Sequence, residues 1–218
     1  MAKFFPELRA HGFAFFPSFQ TGLASDRVVD LLGCRCRGAA GRVHCLKPAP
    51  ASPQLPNTYS GRYGFDEFPF HTDLAHHLTP PPYILLRCIR GHEAVSTRLI
   101  DSVQIIRSVG TSLLARALVQ PRRPRNGQRP LMSIWEPHVG QGQLRWDPEY
   151  LSAAGVAGEE AMAAIVDAIA SAPPLEVTLC RPGDTLIVDN RRMLHARSPV
   201  PQTCRDRLIE RVYLEGVH

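Results

Sequence analysis

The stretch LEVTLCRPGDTLIVDN, residues 175–190, constrains the fold more than any other. Two β-branched, apolar runs flank a Pro-Gly dipeptide, which reads as two strands joined by a turn. Other strand-like runs are GFAFFPSF (12–19), YILLRCI (83–89), its expected neighbour STRLIDS (96–102), and DRLIERVYLEG (206–216). Helical spacing of apolar residues marks ASDRVVDLLG, with Ser25 or Asp26 as N-cap and Gly33 as stop. The same spacing marks residues 101–120 and the Ala-rich 157–172, which two prolines end. Residues 34–66 show no period and read as a long connection. Helices placed before and between many short strands predict an α+β, mainly β chain built around an antiparallel barrel or jelly roll. No Gly-rich loop joins a strand to a helix, so nucleotide-binding folds of the Rossmann and P-loop kinds have no support.

The 218 residues suit a single domain over 1–218, since no repeat, low-complexity tract or linker divides them. At 44% hydrophobic and 21% charged, the chain reads as soluble and globular. No apolar run approaches the roughly 20 residues that span a bilayer. Pro6, Glu7, Arg9 and His11 interrupt the first aromatic stretch, so it lacks the apolar core of a secretion signal. The expected location is therefore cytoplasmic, and the six cysteines are expected as reduced thiols. Cys34, Cys36, His44 and Cys45 lie close together, but Cys-x-Cys is too tight for a zinc knuckle and no second pair follows. Much of the net charge of +5 comes from PRRPRNGQRP, residues 121–130. That segment reads as a solvated loop or as a basic lid over an anionic substrate. Nucleic acid is not expected there, because no aromatic residues interleave with the arginines.

The chemistry concentrates in FPFHTD, residues 68–73. Side chains alternate along a strand, so His71 and Asp73 face one way and Thr72 the other. His195 follows the turn-and-strand unit and would reach the same end of a barrel. Two imidazoles and one carboxylate on one face of an octahedron leave three positions open, the arrangement suited to a non-heme Fe(II) oxygenase. His76 and His77 read as ordinary loop histidines. Arg207 and Arg211 are four apart on the last predicted strand, so both face one side, opposite Leu208 and Val212. Two guanidiniums inside a barrel need anions to meet them, and arginine suits carboxylates.

With FPFHTD, STRLIDS, RPGDTLIVDNRRMLHAR and DRLIERV in this order, the chain resembles the Fe(II)/2-oxoglutarate-dependent oxygenases of the taurine dioxygenase and clavaminate synthase-like group. The resemblance runs from about residue 57 to the C-terminus and implies a double-stranded β-helix, the cupin-like jelly roll, with flanking helices. It implies that His71, Asp73 and His195 bind Fe(II), and that Arg207 pairs with the distal carboxylate of the cosubstrate 2-oxoglutarate. Thr97 falls where the group hydrogen-bonds that cosubstrate, although GHEAVST departs from the usual Gly-Gly-x-Thr. Arg211 matches a position that binds the acidic group of the primary substrate. Arg145 and Trp146, Ser60 and Tyr63 are further candidates for the substrate pocket, with core packing an equal alternative for Trp146. Asp73 implies oxygen transfer from O2, since halogenating relatives typically lack that carboxylate. The implied activity is hydroxylation of a small anionic or zwitterionic, amino-acid-like molecule in specialised biosynthesis, with succinate and CO2 as coproducts. Desaturation, cyclisation, and oxidation of a carrier- or protein-bound residue use the same metal centre and stay open. So does a silent jelly roll that binds a metal or small acid without turnover. The chain is short for the group, which implies reduced loops around the substrate.

Overall fold

The computed structural model describes residues 5–53, 55, 57–124, 127–137 and 142–218. Two antiparallel sheets face each other. The major sheet runs Phe13–Phe16, Thr185–Asp189, Tyr83–Arg90, Leu208–Val217 and Gly33–Arg35, with His44–Leu46 also pairing with Leu208–Val217. The minor sheet runs Leu175–Val177, Thr97–Asp101, Met193–Arg197 and Phe68–His71.

Alternation along these strands builds three apolar layers. Ile84, Leu186, Val188 and Ile209 point inward and meet Leu99, Val177 and Met193 of the minor sheet. Their neighbours Leu85, Ile187 and Val212 point outward, under Val28, Val29 and Leu32 of the helix Ser25–Leu32. On the far side, Ile100 and Leu194 pack beneath the helices Ser102–Val109 and Val156–Ser171. Because both faces of the central strands are covered, they read as continuous apolar runs. This is the sandwich form of a jelly roll, mainly β with flanking helices. No helix among the described residues is long and apolar enough to cross a membrane.

Several local expectations change. The strands of residues 175–190 join different sheets, so their turn is a corner of the sandwich. Asp184 fixes that corner by accepting from the backbone N–H groups of Cys180 at 3.0 Å, Arg181 at 2.8 Å and Ser18 at 2.9 Å. Likewise Thr97–Asp101 pairs with Met193–Arg197 and Leu175–Val177, not with Tyr83–Arg90. The helical pattern of 101–120 ends at Gly110, where φ is +90°, a conformation glycine tolerates best. A short turn of helix follows, and Leu118–Pro121 is a strand pairing with Leu151–Ala154. Ala24 is the cap of the helix Ser25–Leu32; the Ser25 hydroxyl instead donates to Glu210 on the sheet beneath. The connection 34–66 contains two short strands, a 3-10 turn and the helix Tyr59–Tyr63, which Thr58 caps.

Candidate metal centre and adjoining cavity

His71 and His195 are direct partners across the ladder between Phe68–His71 and Met193–Arg197, with ring centroids 4.4 Å apart. Asp73 lies just beyond the strand end. Its backbone N–H donates to Asn190 Oδ1 at 2.8 Å, and Asn190 Nδ2 donates to the Asp73 and Pro81 carbonyls, both at 2.9 Å. Thr72 faces away, its N–H donating to the Trp146 carbonyl at 2.7 Å. That leaves Asp73 on the His71 side. Asp73 Oδ1 stands 3.3 Å from His71 Nε2 and 3.5 Å from His195 Nε2. One donor atom from each of the three residues falls within a 4.8 Å cluster. A cation about 2.1 Å from each of three adjacent donors needs them about 3 Å apart, so the set fits a small divalent ion.

The surroundings prepare the donors. His71 Nδ1 donates to the Pro69 carbonyl at 2.8 Å, which leaves Nε2 as the free lone pair. Burial and the neighbouring His71 push the His195 imidazole towards its neutral, ligating form. Burial alone would raise the Asp73 carboxyl, but Arg211 and the two imidazoles hold it well below the usual range. Asp73 Oδ2 accepts from Arg211 at 2.9 Å and from the Tyr213 hydroxyl at 3.0 Å, so only Oδ1 is left to face a metal. Burial and Asp73 keep the Tyr213 phenol protonated and able to donate. We expect Tyr213→Phe to weaken Fe(II) binding roughly tenfold in anaerobic titration while the fold is retained. Unchanged affinity would remove the hydroxyl from this role.

A cavity of about 540 Å³ adjoins the cluster. Arg207, Ile209, Arg211 and Tyr213 all line it, which is the period-two face of the last strand and the residue before it. Arg207 is buried, and its Nε has no hydrogen-bond partner among the described residues. Burial pushes its guanidinium down to about 10. Such a cation suits a carboxylate guest. Thr97 lines the same cavity, paired across the ladder with Arg197.

The remaining candidates divide. Ser60 lines the cavity. The Tyr63 hydroxyl donates to Glu149 outside it, and Trp146 is buried in the helix-side core. The Arg145 guanidinium is spent on carbonyls: Ala75 at 2.7 Å, His77 at 2.6 Å and Leu78 at 3.3 Å. It braces the loop after Asp73 from behind. His76 lines the cavity outside the three-residue cluster, stacked on Tyr150.

Tyr213, Tyr59 and Asp147 are among the residues of the site that were not singled out from the sequence. Extending the period-two face two residues beyond Arg211 would have reached Tyr213. Tyr59 stacks on His71 with centroids 4.3 Å apart, and its hydroxyl donates to Asp147 Oδ1 at 2.8 Å. Asp147 is a buried carboxylate lining the cavity, raised by burial, and also accepts from the N–H groups of Glu149 and Tyr150. The Asp-Pro pair beside Trp146 was its only signal.

The model of the family described as taurine catabolism dioxygenase TauD, TfdA matches residues 7–213. Clavaminate synthase 2 from Streptomyces clavuligerus is 30% identical over 186 residues, 78% of this chain and 55% of that protein. The chain thus spans about half the length of that curated relative. Among solved structures, an asparagine oxygenase with Fe(II), 2S,3S-3-hydroxyasparagine and succinate aligns at TM-score 0.64 and 18% identity, over 95% of this chain and 76% of that one. The non-heme iron oxygenase OrfP, with Fe, succinate and (3S)-hydroxy-L-Arg, aligns at TM-score 0.59 and 24% identity, over 79% and 55%. These likenesses bear on the fold.

Proposed function

We propose, from the premise that this chain belongs to the taurine catabolism dioxygenase TauD, TfdA family, that it is an Fe(II)- and 2-oxoglutarate-dependent oxygenase. Its reaction is hydroxylation of a small amino-acid-like substrate, with 2-oxoglutarate and O2 converted to succinate and CO2 as one oxygen enters the C–H bond. The observation that carries this reading is the convergence of His71, Asp73 and His195 beside the buried Arg207, whose Nε has no partner among the described residues. When bound there, iron supplies the activation of O2 that a protein side chain does not.

The chain supplies placement. Arg211 and Tyr213 restrict Asp73 to one ligating oxygen, and Asn190 holds its backbone. Arg207, with Thr97 near it, receives the far carboxylate of 2-oxoglutarate. Arg211 and Asp147 give the cavity charges of both signs, which suits a zwitterionic head group. Clavaminate synthase 2 and the two oxygenases solved with hydroxylated amino acids support a substrate of that kind. All the named residues come from the sandwich and its loops, and we read 1–218 as one domain with a cytoplasmic location.

Anaerobic addition of Fe(II) and 2-oxoglutarate should produce the weak visible charge-transfer band of a chelated 2-oxoacid, and a suitable amino acid should shift it. Folded protein without a band would favour a silent jelly roll.

A further inference from the structure

A second hollow of about 330 Å³ opens beside the cavity at the metal cluster. Asn57, Thr58, Tyr59, His76 and Tyr150 form the wall that the two share. The charges on the second hollow are three arginines, Arg62, Arg122 and Arg123, against one carboxylate, Glu149. Glu149 is committed, since it pairs with Arg62 and accepts from the Tyr63 hydroxyl. The Arg122 guanidinium reaches only the Pro148 carbonyl, at 3.2 Å, and Arg123 has no carboxylate partner among the described residues. Two guanidiniums are thus left without a counter-charge among the described residues on one concave surface.

Exposed arginines are ordinary when solvent alone surrounds them, but the backbone that carries Arg122 into Arg123 is held in place. Pro121 pairs with Leu151 in the side sheet, and the Arg122 N–H donates to the Tyr150 carbonyl at 2.8 Å. Arg129 reaches back to the carbonyls of Pro121, at 3.1 Å, and Arg122. The segment before Pro124 is therefore tied to the residues that form the shared wall. Like charges gathered on a concave, partly apolar surface raise its affinity for anions, and the arginine fork suits phosphate and carboxylate alike.

We propose that this hollow is a subsite for an anionic group, phosphate or carboxylate, at the far end of the oxidised molecule. The substrate then carries its amino-acid-like head at the metal and a negative tail beyond Tyr150. This rests on the function proposed above and extends it, because a small zwitterion with a neutral side chain would leave the hollow unfilled.

The test uses protein loaded anaerobically with Fe(II) and saturating 2-oxoglutarate, so that Arg207 is already engaged. Phenyl phosphate and phenylacetate are titrated separately by calorimetry at low salt, with benzyl alcohol as the neutral control. We expect saturable binding of at least one anion and none of the alcohol. Binding should weaken about tenfold in an R122A/R123A double variant, and Glu149→Gln, which removes the one carboxylate lining the hollow among the described residues, should tighten it. The stronger arm identifies the tail as a phosphate ester or a carboxylate. Arg123→Glu, which alters no hydrogen bond to the backbone, repeats the test if the double variant does not fold. Absence of saturable binding, or equal affinity in the arginine variants, overturns the subsite. The visible band is recorded in every sample. Its presence with no anion binding defeats the subsite alone, and its absence defeats the oxygenase reading.

Discussion

Asp73→Ala is expected to reduce substrate-coupled turnover below about one-thousandth of wild type, a barrier increase of about 4 kcal/mol. The residue has three connections that no neighbour duplicates. Its Oδ1 is the carboxylate donor of the cluster, 3.3 and 3.5 Å from the two histidine nitrogens. Its Oδ2 is the shared acceptor for Arg211 and Tyr213. It also holds Asn190 through its backbone, which alanine would preserve. The substitution therefore isolates the carboxylate from the loop geometry. Thermal melts and an anaerobic Fe(II) titration should show a folded protein with weakened metal binding. Wild-type succinate formation from the variant would place the metal elsewhere and end the assignment of this cluster.

The pair His71 and Asp73 was legible because alternation is a local property: whatever sheet the strand joins, residues two apart share a face. Arg207 and Arg211 were legible for the same reason, and the inward face continues through Ile209 to Tyr213. Strand partnership was less accessible, because register and neighbour are set by contacts distant in sequence. Thr97–Asp101 lies across the sandwich from Tyr83–Arg90 although only six residues separate them. A period alone also could not place the break at Gly110, whose positive φ ends the helix before the strand Leu118–Pro121. Arg145 and Trp146 show the reverse problem. Their residue types suit a substrate pocket, but the fold directs one guanidinium to carbonyls and the indole into the core. Of the basic stretch 121–130, Arg125 and Asn126 lie outside the described residues. The residues before them sit at the end of a strand, more ordered than a run of prolines and arginines suggested.

Arg207→Met should separate cosubstrate binding from stability by moving them in opposite directions. Arg207 and Arg197 both line the cavity, the first buried and the second half-buried, and desolvation pushes both down to about 10. Arg197 is satisfied: its Nη2 donates to the Gly64 carbonyl at 2.9 Å and to Asp66, and its guanidinium lies 3.6 Å over the Phe68 ring. Arg207 Nε has no partner among the described residues, and the Arg197 and Arg207 charges repel each other. Removing one partner of a buried carboxylate pair costs about 2–5 kcal/mol. The KM for 2-oxoglutarate should accordingly rise about a hundredfold or more, with Fe(II) affinity unchanged. At saturation, 2-oxoglutarate should raise the melting temperature of the metal-loaded wild type by roughly 5–10 °C and leave the variant unmoved. Without 2-oxoglutarate the variant should melt at or above the wild-type temperature, because methionine keeps most of the stem and removes an uncompensated charge. An anchor that was merely structural would give the opposite pattern, a lower melting temperature with cosubstrate dependence intact, and the carboxylate would then have to be held by another residue of the cavity.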